Sequence, residues 1–387
     1  MNILFYQFGI NPLKGGVQRV SYNIAKQLKL QGDKVYAVYK DDDAFTENLR
    51  NAFEDCLKIN SLDDSAFIKL VKFSRTCKVN IIINQCGFSI SDTKFLSKLK
   101  KECNIRLYSF IHISPTGSRD VLQFRDFRFP KLVLRSLAKE FMFIFYKADK
   151  WKYKRVYKLS DKVVLLSESF ITDFKQIICN EDINHKIAAI PNCITYPLQD
   201  ENVLQKKENI LLVVARMGET PKKISRVLDC WKMLNAELEN WELILVGDGS
   251  DLQTYKDIAR KNKLPRITFT GMADPSSYYM KASIFLMTSA TEGFGMTLLE
   301  AQQYGVVPIT MDSYKSVRDL IADGKNGFII PDKNISDFAS KILVLVIKNN
   351  ELRTSLAKNA LHSVRRFSEK QVLAQWNKLL SDERTYL

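Results

Sequence analysis

Short runs of β-branched and aromatic residues alternate with segments of helical period along nearly the whole chain, the pattern of parallel sheets covered by helices. In the first half the runs lie at Asn2 to Phe8, Lys34 to Tyr39, Val79 to Asn84, Arg106 to Ile111, Val163 to Leu166 and Ile187 to Ile190. A polar stretch, YPLQDENVLQKKEN, then runs to Asn209 and reads as a linker. Beyond it the alternation restarts, with strands expected at Ile210 to Ala215, Glu242 to Val246, Ile267 to Thr270, Ile284 to Met287 and Val306 to Thr310. A second open sheet beginning afresh predicts an α/β protein of two doubly wound parallel-sheet domains facing each other across a cleft. The expected boundaries are 1–195 for the first domain, 196–208 for the linker, 209–370 for the second domain, and 371–387 for a C-terminal helix able to pack back on the first. Ligands of such sheets bind outside the C-terminal ends of the strands, so the chemistry is expected in the loops that follow them.

Composition narrows the function classes. Of 387 residues, 46% are hydrophobic and 26% charged, which excludes disorder, collagen and coiled coil. The net charge of +15 favours an anionic partner or substrate. Cys56, Cys77, Cys86, Cys103, Cys179, Cys193 and Cys230 are scattered, without a CxxC pair, and read as reduced thiols of a cytoplasmic chain. The opening MNILFYQFG reads as a first strand rather than a signal peptide, and no apolar run is long enough to span a membrane.

Arg119 to Lys158 breaks the pattern, with twelve Lys or Arg against four acids and with Phe124, Phe127, Phe129, Phe141, Phe143, Phe145, Tyr146, Trp151, Tyr153 and Tyr157 interleaved. Basic and aromatic residues on one helix suit an anionic leaflet, at about 1 kcal/mol per basic residue near the surface. The expectation is peripheral association with the inner membrane face; a solvated helix whose aromatics pack into the first domain is the alternative. No nucleic-acid motif accompanies the charge, so nucleic acid is not an expected partner.

The densest chemistry lies in TEGFGMTLLEAQQYGVVPI, Thr291 to Ile309. Glu292 falls in a loop after a strand, Gly293 and Gly295 lead into a helix, and Glu300 sits in its second turn, with Gly305 as the stop. The helix's free N–H groups at Gly295, Met296 and Thr297 attract phosphate or sugar oxygens, and the glycines allow close approach. Two separated carboxylates can each accept a pair of sugar hydroxyls, one set on a hexose and one on a ribose. In VVARMGETPKKISRVLDCW, Arg216 closes a strand and Lys222 stands six positions on, two fixed cations able to neutralise a departing diphosphate.

EGFGMTLLEA resembles the E-x7-E signature of the glycosyltransferase family 4 group, retaining enzymes of the GT-B fold with two facing Rossmann-like domains. The glycine loop after the first strand, the IPN before the linker and VGDGSDL at Val246 to Leu252 extend the resemblance. It implies a nucleotide diphospho-sugar donor held by Gly293, Phe294, Gly295, Met296, Thr297 and Glu300, with Met272 near the base. It also implies that Arg216 and Lys222 bind the donor phosphates; Lys223 is the neighbouring candidate. Gly15 and Gly16 would bring backbone N–H groups toward the donor phosphate. His112, the one histidine at a strand C-terminus, would hydrogen-bond the transferred sugar beside Glu292.

Asp41, Asp42 and Asp43 resemble an Asp-x-Asp metal motif, but no downstream pattern fits that use, and they read as a polar loop. Neither metal nor cofactor is expected. The reading is a hexosyltransferase that takes UDP- or GDP-sugar and passes the hexose to a saccharide or polyprenyl-diphosphate-linked acceptor, in capsule, lipopolysaccharide or exopolysaccharide assembly. A nucleotide-sugar epimerase of the same fold and a basic lipid- or nucleic-acid-binding module stay open, though neither explains the spacing of Glu292 and Glu300.

Overall fold

The computed structural model describes residues 1–41, 46–117, 133–180, 185–348 and 350–384. The chain forms two units, Met1–Thr195 with Glu369–Leu387, and Tyr196–Ser368.

Among the described residues, the first unit carries seven parallel strands: β1 (Asn2–Tyr6), β2 (Lys34–Tyr39), β3 (Cys56–Lys58), β4 (Ile81–Asn84), β5 (Arg106–Ile111), β6 (Lys162–Leu165) and β7 (Ile187–Ala189). Their order is β3-β2-β1-β4-β5-β6-β7, so the direction of winding reverses between β1 and β4. Helices cover both faces, which is why the inner strands read as unbroken apolar runs. Ile3, Leu4, Phe5, Tyr6, Ile81, Ile82 and Ile83 are all fully buried. Asp63 and Ser89 cap the Asp64–Thr76 and Ile90–Cys103 helices by accepting from the Ala66 and Asp92 N–H groups. The C-terminal helix, Glu369–Arg384, belongs to this unit; its Trp376 ring stacks on Phe110 at 4.6 Å and on Phe5 at 6.0 Å.

Among the described residues, the second unit carries six parallel strands: β8 (Ile210–Val214), β9 (Glu242–Val246), β10 (Ile267–Gly271), β11 (Ile284–Met287), β12 (Val307–Asp312) and β13 (Phe328–Pro331). Their order, β10-β9-β8-β11-β12-β13, reverses between β8 and β11. Leu211, Val213, Leu243, Leu245, Ile284 and Leu286 form the core with Trp231 of the Ile224–Leu234 helix. Gly247 is required by close approach: a Cβ there would meet the Ala215 carbonyl oxygen at 1.9 Å.

The sequence pattern overlooks β3 and β13. Both are short edge strands, and β3 is half-exposed Cys-Leu-Lys, without β-branched residues. The stretch read as a linker is packed: Glu201–Lys206 forms a 3-10 turn capped by Asp200, buries Val203, and belongs to the second unit. All seven cysteines are free thiols, and among the described residues no helix is long and apolar enough to cross a membrane.

The segment 119–132 lies outside the described residues. From Tyr146 onward, the Val133–Leu159 helix exposes Lys147, Trp151, Lys154, Arg155 and Lys158 while burying Tyr153 and Val156. Tyr153, expected among the surface aromatics, is instead core, set edge-on to Phe174 at 5.4 Å.

Candidate functional site

In a doubly wound sheet the crevice at the reversal point, beyond the strand C-terminal ends, is where ligands sit. In the second unit that point lies between β8 and β11, and the loops after these two strands carry Arg216, Lys222 and Glu292. Arg216 stands two residues past β8 with its side chain in solvent. Lys222 ends a short helix, Glu219–Lys222, and its Nζ donates to Glu292 Oε1 at 2.6 Å; the two side chains are 20% and 14% exposed.

Local bonds dictate this placement. The Glu219 carboxylate accepts from Ser225 Oγ at 2.7 Å and Tyr255 Oη at 3.0 Å, while the Glu219 N–H donates to Asp251 at 2.8 Å. The Ala290 N–H donates to the Pro221 carbonyl at 2.8 Å, and Thr288 Oγ1 donates to the Lys223 carbonyl at 2.9 Å. The loop after β8 is thereby tied to the loop after β11. Lys223 takes a left-handed conformation, φ 53°, and is 7% exposed, so the adjacent lysines part: Lys222 toward Glu292, Lys223 into the body of the unit.

Gly295 precedes the Met296–Gln303 helix with φ 89°, and a Cβ there would meet Tyr314 Oη at 3.2 Å. Tyr314 is buried, and that burial first, then the Glu292 charge, raises its phenol above the ordinary value. The first amides of a helix have no intrahelical acceptor, so this start is suited to oxygen atoms of an anion. Thr297, in the first turn, lines a small cavity with Lys222, Thr288 and Ser289. Glu300 is 5% exposed and accepts from Tyr279 Oη at 3.1 Å. Gly293 is held through its carbonyl by Ser316 Oγ at 3.3 Å.

Two predicted donor residues are placed differently from the rest. The Phe294 side chain is buried edge-on to Phe367 at 5.5 Å, which leaves only its backbone to meet a ligand. Met272, one residue past β10, is 80% exposed. Asp42 and Asp43 lie outside the described residues.

In the first unit, Gly15 is the extended residue before the Gly16–Leu30 helix, which opens on Gly16. His112 follows β5, and its Nε2 lies 2.5 Å from Gln85 Oε1. Facing a carbonyl-type oxygen, Nε2 carries the proton, which leaves Nδ1 as an acceptor. Burial lowers the His112 pKa to about 4, so the ring is neutral at ordinary pH. Among the described residues its Nδ1 is buried without a hydrogen-bond partner, and so are both amide atoms of Gln7, a residue 1% exposed directly after β1.

Gln7 and Gln85 are not marked in the sequence, because neutral amides carry no charge or motif signal. Their position is the available clue: they directly follow β1 and β4, the strands that flank the reversal in this sheet.

Two open parallel sheets of Rossmann order, each with its reversal crevice, define the GT-B fold of glycosyltransferases. HepE of Anabaena, whose structure was solved in complex with UDP and glucose, superposes with a TM-score of 0.74 at 17% identity, covering 99% of this chain and 100% of that one. Residues 197–363, most of the second unit, match the family model Glycosyl transferases group 1. The Erwinia amylovora amylovoran biosynthesis glycosyltransferase AmsD is 27% identical over 183 residues, 47% of this chain and 50% of that protein.

A Campylobacter jejuni α-1,4-N-acetyl-D-galactosaminyltransferase, whose name specifies an undecaprenol-diphosphate-linked acceptor, is 26% identical over 179 residues, 46% of this chain and 49% of that protein. The chain matches between 34% and 61% of the length of the first curated relatives.

Proposed function

We propose that this chain is a retaining glycosyltransferase that moves a hexose from a UDP- or GDP-sugar to a saccharide acceptor, lipid-linked, in cell-surface polysaccharide assembly. The observation that carries the reading is the Lys222–Glu292 pair beside the Gly295 helix start at the β8–β11 reversal. An ammonium has three donors, so Lys222 can keep Glu292 and still reach a phosphate oxygen. Arg216 adds a second cation and the helix start adds amides, so negative charge developing on the departing diphosphate is met without metal or cofactor. Glu292 accepts hexose hydroxyls and Glu300 ribose hydroxyls. The acceptor hydroxyl attacks from the face the diphosphate leaves, and the departing phosphate oxygen takes its proton. In the first unit, the neutral His112 Nδ1 and the Gln7 amide suit sugar hydroxyls, which both donate and accept.

Relatives that act in polysaccharide assembly or on a lipid-linked acceptor support this acceptor class. The exposed basic face around Trp151 supports attachment to an anionic leaflet.

The test is incubation with radiolabelled UDP- and GDP-hexoses and a lipid-linked saccharide pool. Label should pass to the acceptor from one donor type; donor converted to its epimer without transfer would instead establish an epimerase. Lys222→Ala should lower turnover by roughly 10² to 10³, and unchanged turnover would exclude this lysine as a phosphate ligand. Glu292→Ala should abolish transfer while sparing the fold, the thermal melt keeping a cooperative transition.

A further inference from the structure

The opposite ends of the second-unit strands hold another concave site. A cavity of ≈ 280 Å³ is lined by Lys207, Asn209, Ser283, Asn350, Arg353 and Thr354. It lies ahead of the first residues of β8 and β11 and against the first turn of the Asn350–Ser363 helix. No acidic residue is among the described residues that line it. Lys207 Nζ donates to the Tyr279 carbonyl at 2.8 Å. The Arg353 guanidinium donates to the Leu345 carbonyl at 3.2 Å and to Asn350 Oδ1 at 2.7 Å, and lies over the Trp241 ring at 5.3 Å.

Both cations therefore meet neutral acceptors only, among the described residues. Desolvation lowers Lys207 to about 7 and pulls Arg353 below its ordinary value. A cation withdrawn from water without a counter-charge is costly, and the cost is relieved either by losing the proton or by taking up an anion. Arginine cannot take the first course.

An adjoining cavity of ≈ 660 Å³ shares Lys207 and Asn209 and adds Arg266, Glu208, Glu239 and Glu242. Glu208 is paired with Lys281 at 3.1 Å, so the nearest carboxylate along the chain is already engaged.

We propose that this cavity binds a phosphoryl-type oxyanion between Lys207 and Arg353, with the Asn209 amide as a neutral donor. A guanidinium fork beside an ammonium matches a tetrahedral oxyanion that offers several acceptor oxygens. The site is separate from the β8–β11 crevice and does not depend on the reaction assigned there.

Sulfate is the first probe, because its charge does not change over the range used. The full chain is titrated calorimetrically with sulfate at about pH 6.5 and about pH 8.5, with Lys207 charged mostly at the lower value. A binding component is expected that Lys207→Met and Arg353→Met each weaken at least about tenfold, that Lys207→Arg keeps, and that weakens by about tenfold at the higher pH. Retention in Lys207→Arg, with an unchanged melt, separates loss of charge from loss of fold. Absence of any binding component, or equal affinity in the parent and both Met variants, overturns the proposal.

Inorganic phosphate and phosphatidylglycerol vesicles then distinguish the source of the oxyanion. Phosphate binding lost in both Met variants, with vesicle sedimentation unaltered, assigns a dissolved phosphate. Sedimentation that sulfate blocks and both variants lose assigns a lipid headgroup.

Discussion

Lys222 and Lys223 share a sequence context and differ completely in use. The left-handed turn at Lys223 and the Thr288 bond to its carbonyl send one ammonium to Glu292 and draw the other inward. A motif locates the pair of lysines, and only the backbone separates them. His112 shows the converse, since its environment decides its charge. Burial lowers its pKa to about 4 from 6.5, so between these values the unfolded chain binds the extra proton. Stability therefore falls as pH drops through 6.5 toward 4, by up to about 3 kcal/mol from this group. In urea unfolding followed across that window, His112→Gln should flatten the acid loss in the first unit. An undiminished slope would show that the ring is charged or exposed in the folded state.

Elements were legible wherever burial on both faces forces continuous apolar runs. β1, β4, β5, β8, β9 and β11 stand where such runs place them, and the helix after Gly295 begins where the glycine pair and apolar spacing put it. The edge strands β3 and β13 escaped because each is short and partly solvated, whereas the edge strands β7 and β10 lie on the runs read for them. The polar stretch at 196–208 packs through few groups, the buried Val203 behind an Asp200 cap and the Tyr196 ring on Tyr279 and Tyr304. At the site, charged residues at strand ends were readable, whereas Gln7 and Gln85 carry no charge or motif, and only the fold shows Gln85 bonded to His112 and Gln7 buried after β1.

The Val133–Leu159 helix bears its own test at this scale. Lys147, Trp151, Lys154 and Lys158 recur at helical spacing on the exposed side. Binding to anionic vesicles should fall several-fold in a Lys147→Glu, Lys154→Glu double variant and should be reversed by high salt. Sedimentation that neither change alters would contradict attachment through this face.

At the scale of the whole molecule, the chain builds two sheets of the same winding and returns its last helix to the first. Trp376 fills the gap over Phe5 and Phe110, so Trp376→Ala should lower the stability of the first unit by about 3–5 kcal/mol. Calorimetric unfolding should show that transition moving while the transition of the second unit holds; a coincident shift of both would mean that the helix supports more than its own unit.

The second unit carries the family match and the Lys222–Glu292 pair, which makes nucleoside diphosphate affinity the most direct test of the proposed function. Titration of UDP and GDP into the parent, Lys222→Ala and Lys207→Met should show one nucleotide binding. Its affinity should fall about tenfold to hundredfold in Lys222→Ala and stay unchanged in Lys207→Met. Parental affinity in Lys222→Ala, or binding of neither nucleotide, would contradict the placement of the diphosphate beside the Gly295 helix start.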